Sequence, residues 1–273
     1  MCRVFEVSKS GYYAWRHRSP SRRARRNERL TQQIRMIYHE SDQTYGSPRV
    51  YRELRARGER CGRSRVERLM RRSGLRSKAQ QRYKATTDSG HRLPVCANLL
   101  KRNFDVSVPN TVWASDITYI WTREGWMYLA VVLDLYSRRV VGYAMKKRLQ
   151  RQLVIEALQM ALGSRQVQHG LIHHSDRGSQ YASSEYQGLL KTAGIRGSMS
   201  GKKSCYDNAV VESFFSTLKK ERVYRRTYAT REEARHDIFQ YIAVFYNQKR
   251  LHSTLGYLSP AAYETRNTLT QAA

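Results

Sequence analysis

The sequence predicts an α/β protein: a mixed five-stranded sheet with flanking helices, preceded by a small all-α module rich in arginine. Three observations predict it. Apolar residues recur at helical spacing in the first part of the chain, between clusters of Arg. Strand-like apolar runs begin only near Val112. From there, strand and helix patterns alternate in a definite order.

The front elements come first. Asn27 to Glu40 reads as a helix with Leu30, Ile34 and Ile37 on one face. Tyr45-Gly46-Ser47-Pro48 breaks it, and Ser47-Pro48 supplies an N-cap followed by a proline suited to the first helical position. The second helix runs to about Arg57, where Gly58 ends it. Ser64-Arg-Val-Glu67 has the pattern of a capping box and opens a third helix, with Val66, Leu69 and Met70 inward and an end near Gly74. Three short helices with a tight turn before the last resemble a helix-turn-helix module. Arg63, Arg65, Arg68, Arg71 and Arg72 are expected to face outward and meet DNA phosphates, giving backbone rather than base readout. Val7 to Trp15 reads as the end of a further helical unit whose first half lies on another polypeptide.

From Thr111 the pattern changes. Val112 to Trp121, Met127 to Leu135 and Arg139 to Met145 read as a three-stranded antiparallel meander. Gln150 to Leu162 follows as a helix, Leu171 to His174 as a short buried strand, Ser184 to Thr192 as a helix, and Ile195 to Met199 as a last strand. A helical segment containing Glu212 comes next. This is the element order of a ribonuclease H-like fold, in which the first and fourth strands lie side by side. The expected organisation is 1–26 as remnant of an upstream helical DNA-binding unit and 27–77 as helix-turn-helix-like module. A basic linker follows over 78–108, then a catalytic core with C-terminal helices over 109–265 and a tail over 266–273.

Charge narrows the function. The 273 residues hold 50 Lys+Arg against 22 Asp+Glu, a formal net charge of +28. Such an excess opposes compaction until a polyanion neutralises it, so nucleic acid is the expected partner. Cysteines at 2, 61, 96 and 205 are too scattered for a zinc knuckle or a CxxC redox pair. No apolar run is long enough to cross a bilayer, and the N-terminus lacks a signal-peptide pattern. A cytoplasmic, nucleoid-associated protein without membrane contact is expected.

Within the core three acids stand in distinctive words. Asp116 lies in Trp113-Ala-Ser-Asp116-Ile-Thr-Tyr119, in the middle of the first strand. Asp176 follows the fourth strand in His173-His-Ser-Asp176-Arg-Gly-Ser-Gln-Tyr181. Glu212 lies in Tyr206-Asp-Asn-Ala-Val-Val-Glu212, with 35 residues between it and Asp176. Carboxylates are the hard oxygen donors that Mg²⁺ prefers, and clustered carboxylates without a cation raise one another's pKa. A paired-metal centre with ions about 3.5–4 Å apart suits in-line phosphodiester chemistry.

Other residues near these words read differently. Asp134 is expected to pair with Arg138 or Arg139, and Asp207 with Asn208 to cap the Glu212 helix. Glu221, nine residues past Glu212, turns away from its face. His173 reads as structural and His174 as a DNA contact. Lys202 and Lys203, in the Gly/Ser/Lys-rich loop 194–203, are placed to meet phosphates.

These words, with Tyr45-Gly-Ser-Pro-Arg49 and the tail Tyr246-Asn-Gln-Lys-Arg-Leu-His252-Ser-Thr-Leu-Gly-Tyr-Leu-Ser-Pro260, resemble the integrase-core transposases of two-frame insertion sequences, specifically the second-frame product. The resemblance spans nearly the whole chain. It implies that Asp116, Asp176 and Glu212 take the metal-ligand positions of the Asp-Asp-35-Glu signature, with two Mg²⁺ ions and Mn²⁺ as a substitute. It also implies that Lys219, two helical turns after Glu212, lies near DNA. The partners implied are double-stranded DNA (element ends and target), the upstream first-frame product or a fusion with it, and further copies of the chain on DNA. The rival readings are a non-catalytic DNA-binding regulator, against which the intact triad argues, and a plain ribonuclease H-like nuclease, which needs no long basic front.

Overall fold

The computed structural model describes residues 2, 4–78, 95–201 and 207–272, with side chains to residue 267. Lys202, Lys203 and most of the segment read as a basic linker lie outside the described residues. The chain divides into two compact units, 1–78 and 79–273.

The first unit contains α1 (Lys9–Arg16), α2 (Arg22–Glu40), α3 (Ser47–Ala56) and α4 (Arg63–Arg72). Its core is the predicted set: Leu30, Ile34 and Ile37 from α2, Val50 and Leu54 from α3, and Val66, Leu69 and Met70 from α4. Helix α2 starts five residues earlier than the periodicity indicates. Ser21 caps it by accepting from the Ala24 N–H, and its first turns carry only polar and small residues, so no apolar period marks them. The capping box at Ser64 does not form. Gly62 stands at the N-cap of α4 without a side-chain bond, and Ser64 lies inside the helix. At α3 the N-cap is Gly46, and Ser47 is already helical.

The second unit is a five-stranded mixed sheet in the order β3-β2-β1-β4-β5. Its strands are β1 (Val112–Thr122), β2 (Gly125–Asp134), β3 (Val140–Lys146), β4 (Ile172–Ser175) and β5 (Arg196–Met199). The first three pair antiparallel, whereas β4 joins β1 in parallel and β5 joins β4 in parallel. Helix α5 (Arg151–Ser164) carries the chain from one edge of the sheet to its centre, and α6 (Ser184–Thr192) connects β4 to β5. The rest comprises α7 (Ala209–Glu221), α8 (Arg231–Phe239), a π-helical segment Gln240–Tyr246 and α9 (Pro260–Ala272).

Alternation along β2 shows why its apolar run is nearly continuous. Met127, Leu129, Val131 and Leu133 pack into a core with Phe214, Leu218, Ile238 and Ile242, from α7, α8 and the π-helical segment. Ala130 and Val132 pack into a second core with Leu153, Ala157 and Leu158 of α5 and Leu190 of α6. Each fully buried side chain of this size contributes about 1.5–3 kcal/mol. Helix α5 comes so close to β3 that a Cβ on Gly142 would lie 2.2 Å from the Ala157 carbonyl oxygen. Only glycine fits there.

Candidate active site

Register brings the first two acids together. In the parallel β1–β4 ladder Trp113 faces His173, Ala114 faces His174 and Ser115 faces Ser175. The next residue on each side is Asp116 and Asp176. The Asp176 carboxylate turns back to accept the Gly178 N–H at 2.8 Å, closing a tight turn after the strand. Asp116 accepts its neighbour Ile117's N–H at 2.7 Å. Burial raises the Asp116 pKa well above the ordinary carboxylate value, and the Asp176 charge raises it further, with a smaller push from Glu212.

Glu212 enters from the first turn of α7. That end of the helix is tied to β1 by Asn208, whose Nδ2 donates to the Ser115 carbonyl at 3.0 Å, one residue before Asp116. Burial also raises the Glu212 pKa. Among the described residues, no three His, Cys, Asp or Glu side chains converge into a ready-made metal cage. Lys219 lies two turns on, along the Glu212 face of α7. This residue, which the resemblance places near DNA, is 4% exposed in the protein alone. Its ammonium lies 4.8 Å from the centre of the Tyr119 ring and within the field of Asp116, while burial lowers its pKa.

The two histidines of β4 just before Asp176 project from opposite faces of the sheet. His173 Nε2 meets the Ser115 hydroxyl at 2.9 Å and the Tyr186 hydroxyl at 3.2 Å, and burial lowers its pKa to about 3. His174 is fully buried, with Nδ1 on the Ser198 hydroxyl at 2.9 Å and Nε2 on Ser200 at 3.2 Å. The DNA-contact expectation for His174 is therefore corrected, because both ring nitrogens are taken up inside the core. Tyr181 is buried beside these groups, and its hydroxyl has no hydrogen-bond partner among the described residues. The sequence pattern does not single out Tyr181 or the Asn208 tether. The apolar ring of one and the cap-like position of the other mask them.

The neighbouring acids have structural partners. Asp134 accepts the backbone N–H groups of Asn110 and Tyr136, both at 2.9 Å, and burial raises its pKa to about 6. It does not pair with Arg139, whose guanidinium goes to Glu264 at 2.7 Å. Asp207 is not the cap of α7. It accepts from Asn98, Arg102 and the Gly201 N–H at 2.8–2.9 Å, and Asn208 holds the N-cap position. Glu221 does turn away from the Glu212 face, into a buried pair with Arg250 at 2.8 Å that also accepts the Tyr241 hydroxyl. In the tail, Asn247 exchanges two hydrogen bonds with the Val140 backbone, so these residues fasten the C-terminal segment to β3.

In the first unit Arg63, Arg68, Arg71 and Arg72 are exposed. Arg65 is corrected: it is half-buried, and its guanidinium donates twice to the Asn27 side chain at 2.7–2.9 Å, joining α4 to α2.

A mixed sheet in this order, with one carboxylate midway along its first strand and another just past the end of its fourth, defines an integrase-type ribonuclease H-like core. Residues 107–205 and 212–268 match family models described as integrase core domains, and 25–83 match an HTH-like domain. The chain is 46% identical to a Shigella sonnei insertion element IS600 protein of 31 kDa, covering 97% of this chain and 98% of that one. It is 45% identical to the Escherichia coli K12 transposase InsF of insertion sequence IS3A, covering 98% and 93%. Among solved structures, the BIV integrase catalytic core aligns at 20% identity and TM-score 0.45, covering 60% of this chain and 99% of that one. The chain belongs to the insertion-sequence transposases of the InsF type, DDE polynucleotidyl transferases of the integrase superfamily.

Proposed function

We propose that Asp116, Asp176 and Glu212 are the catalytic acids of this transposase and hold two divalent cations, Mg²⁺ or in its place Mn²⁺. The observation that carries this reading is the β1–β4 register, which sets Asp116, midway along β1, beside Asp176, just past the end of β4. The donor chemistry fits as well. Three carboxylates offer hard oxygen ligands, and a pair that drives the Asp116 pKa upward is stabilised by a cation. Bound there, the metals would activate the nucleophile and neutralise charge on the leaving oxygen during in-line displacement.

The chain's own residues perform the rest. Asp116 and Asp176 are the fixed half of the site, held by the ladder and by the Ile117 and Gly178 N–H groups. Glu212 stands on the first turn of a helix whose start is anchored at Ser115. One site then serves both steps, hydrolysis at the element ends and attack of the freed 3′-OH on a target phosphodiester, because water and a 3′-OH are equivalent in-line nucleophiles.

The module at 27–77 holds DNA phosphates through Arg63, Arg68, Arg71 and Arg72, and Lys202 and Lys203, outside the described residues, add further phosphate contacts. Helix α1 buries none of its residues and exposes Tyr13 and Trp15, which fits a helix that completes a unit with the upstream first-frame product or a fusion to it. The protein works as a homo-oligomer on DNA in the bacterial cytoplasm, at the nucleoid. Among the described residues no helix is long and apolar enough to cross a membrane.

The test is an end-containing duplex with Mg²⁺ or Mn²⁺, comparing wild type with Asp176→Asn. Cleavage and joining are expected from wild type only, with DNA binding equal in both. Full joining by Asp176→Asn overturns the assignment of the acids, and equal binding with no wild-type chemistry supports a regulator.

A further inference from the structure

Four aromatic side chains of the second unit stand open to solvent near the acid pair. Tyr119 and Trp121 on β1, Trp126 on β2 and Tyr224, in the turn after α7, are each between 40% and 55% exposed. They are not scattered. Trp126 packs edge-on against both Tyr119 and Trp121, with ring centres 5.2 Å and 4.9 Å apart. The Tyr224 hydroxyl lies within the field of Tyr119. The hairpin that carries the rings is rigid: its two-residue turn needs Gly125 at φ +103°, and Thr122 Oγ1 donates to the Gly125 carbonyl at 2.7 Å. The alternate residues of β1, Thr118, Ile120 and Thr122, are the buried ones, so the rings of Tyr119 and Trp121 stand on the face of the strand turned to solvent. A contiguous exposed aromatic cluster of this kind marks a contact surface.

The surroundings of the cluster favour one occupant. Along β1 the backbone at Tyr119 is about 10 Å from Asp116 and that at Trp121 about 17 Å, with both rings on the alternate face of the strand. Lys219 bridges the interval, with its ammonium on the Tyr119 ring and within the field of Asp116. The charged rim is cationic, with an exposed Arg123 at the hairpin turn and Arg225 beside Tyr224, while Glu124 at the turn is occupied by the Arg231 N–H at 2.8 Å. Aromatic faces beside a cationic track are how proteins hold unpaired nucleotides without reading their sequence. A cationic rim favours a polyanion as the occupant, and a paired duplex offers no base face to stack on.

We propose that Tyr119, Trp121 and Trp126, with Tyr224 at their side, form a stacking platform for unpaired DNA bases next to the active site, holding a frayed strand end while the scissile phosphate lies at the acids. The platform's position relative to the chemistry rests on the acid assignment above, but its binding of unpaired bases does not. The two are therefore separable.

The experiment uses the full chain and two probes of equal length carrying 2-aminopurine: a single-stranded oligonucleotide, and a blunt duplex with the probe base paired. Binding is followed by anisotropy and stacking by quenching of the probe base, at one fixed salt concentration. Wild type is expected to quench the single-stranded probe. Trp121→Ala/Trp126→Ala is expected to lose that quenching and roughly tenfold of its single-strand affinity, while duplex affinity stays at the wild-type level and circular dichroism shows the variant folded. Trp126→Phe, which keeps an aromatic face, is expected to restore most of the quenching. Asp176→Asn is expected to quench like wild type; if the acid assignment fails while this holds, only the link to chemistry is lost. Quenching that survives in the double alanine variant overturns the platform. So does an equal fall in single-strand and duplex affinity, or a change in oligomeric state with DNA binding unaffected.

Discussion

At the residue scale, the two buried histidines of β4 make the fold sensitive to acid. His173 is buried and neutral, with its pKa lowered from an ordinary 6.5 to about 3. The unfolded chain therefore takes up a proton before the native one does. The stabilising effect is complete above about pH 6.5 and is lost as pH falls towards the folded value, at about 1.4 kcal/mol per pH unit. His174, lowered to about 4, acts in the same direction. Urea unfolding of wild type is expected to lose roughly 2–3 kcal/mol for His173 between pH 6.5 and 4.5. His173→Gln should show a shallower fall, and equal slopes would refute the burial argument. Tyr181 and Tyr186 supply a matched pair. The Tyr186 hydroxyl is bonded to His173, whereas that of Tyr181 has no partner among the described residues. Tyr186→Phe is expected to lower stability by about 1 kcal/mol and Tyr181→Phe to raise it by about as much. A destabilised Tyr181→Phe would mean that its hydroxyl is bonded after all.

At the scale of elements, α7 decides the geometry of the site because it is pinned at both ends. Its start is tied to β1 through Asn208 and the Ser115 carbonyl, and its end through Glu221, Arg250 and Tyr241. Asn208→Ala removes only the first tie. It is expected to cost about 1 kcal/mol of stability, the worth of one hydrogen bond, yet to lower the joining rate more than DNA affinity. Single-turnover joining at saturating DNA checks this, and an unchanged rate would show that the tether does not position Glu212. The order of strands and helices in this unit was legible from periodicity alone, since strands buried on one or both faces leave distinct patterns. The roles of Asp134, Asp207 and Arg65 were not. Each is satisfied by a partner far away in sequence: Asn110 for Asp134, Arg102 for Asp207 and Asn27 for Arg65.

At the scale of the whole molecule, the +28 charge is partitioned between internal and external work. Arg139, Arg165 and Arg250 are held in pairs with Glu264 or Glu221 inside the second unit. In the first unit Arg68 and Arg71 are exposed on α4, while Arg65 is engaged with Asn27. A salt titration of DNA affinity is expected to separate these classes. Arg68→Ala/Arg71→Ala should reduce the slope of log affinity against log salt by about 2, one for each phosphate left without its arginine. Arg65→Ala should leave the slope unchanged and lower the stability of the first unit. An unchanged slope in the double variant would remove α4 from the DNA interface.

The sequence by itself determined the class of the chain, the order of its elements and the words around its acids, because periodicity, composition and local motifs are all written within a few residues. Only the tertiary structure decided which charged groups meet. The parallel β1–β4 ladder brings Asp116 to Asp176 across 60 residues, and α7 carries Lys219 into the interior against Tyr119. The same packing places both histidines out of reach of solvent and leaves a cluster of aromatic rings exposed beside the acids. Burial and strand register are properties of distant pairs, and the free energy of a charge or a ring depends on what those pairs exclude from water.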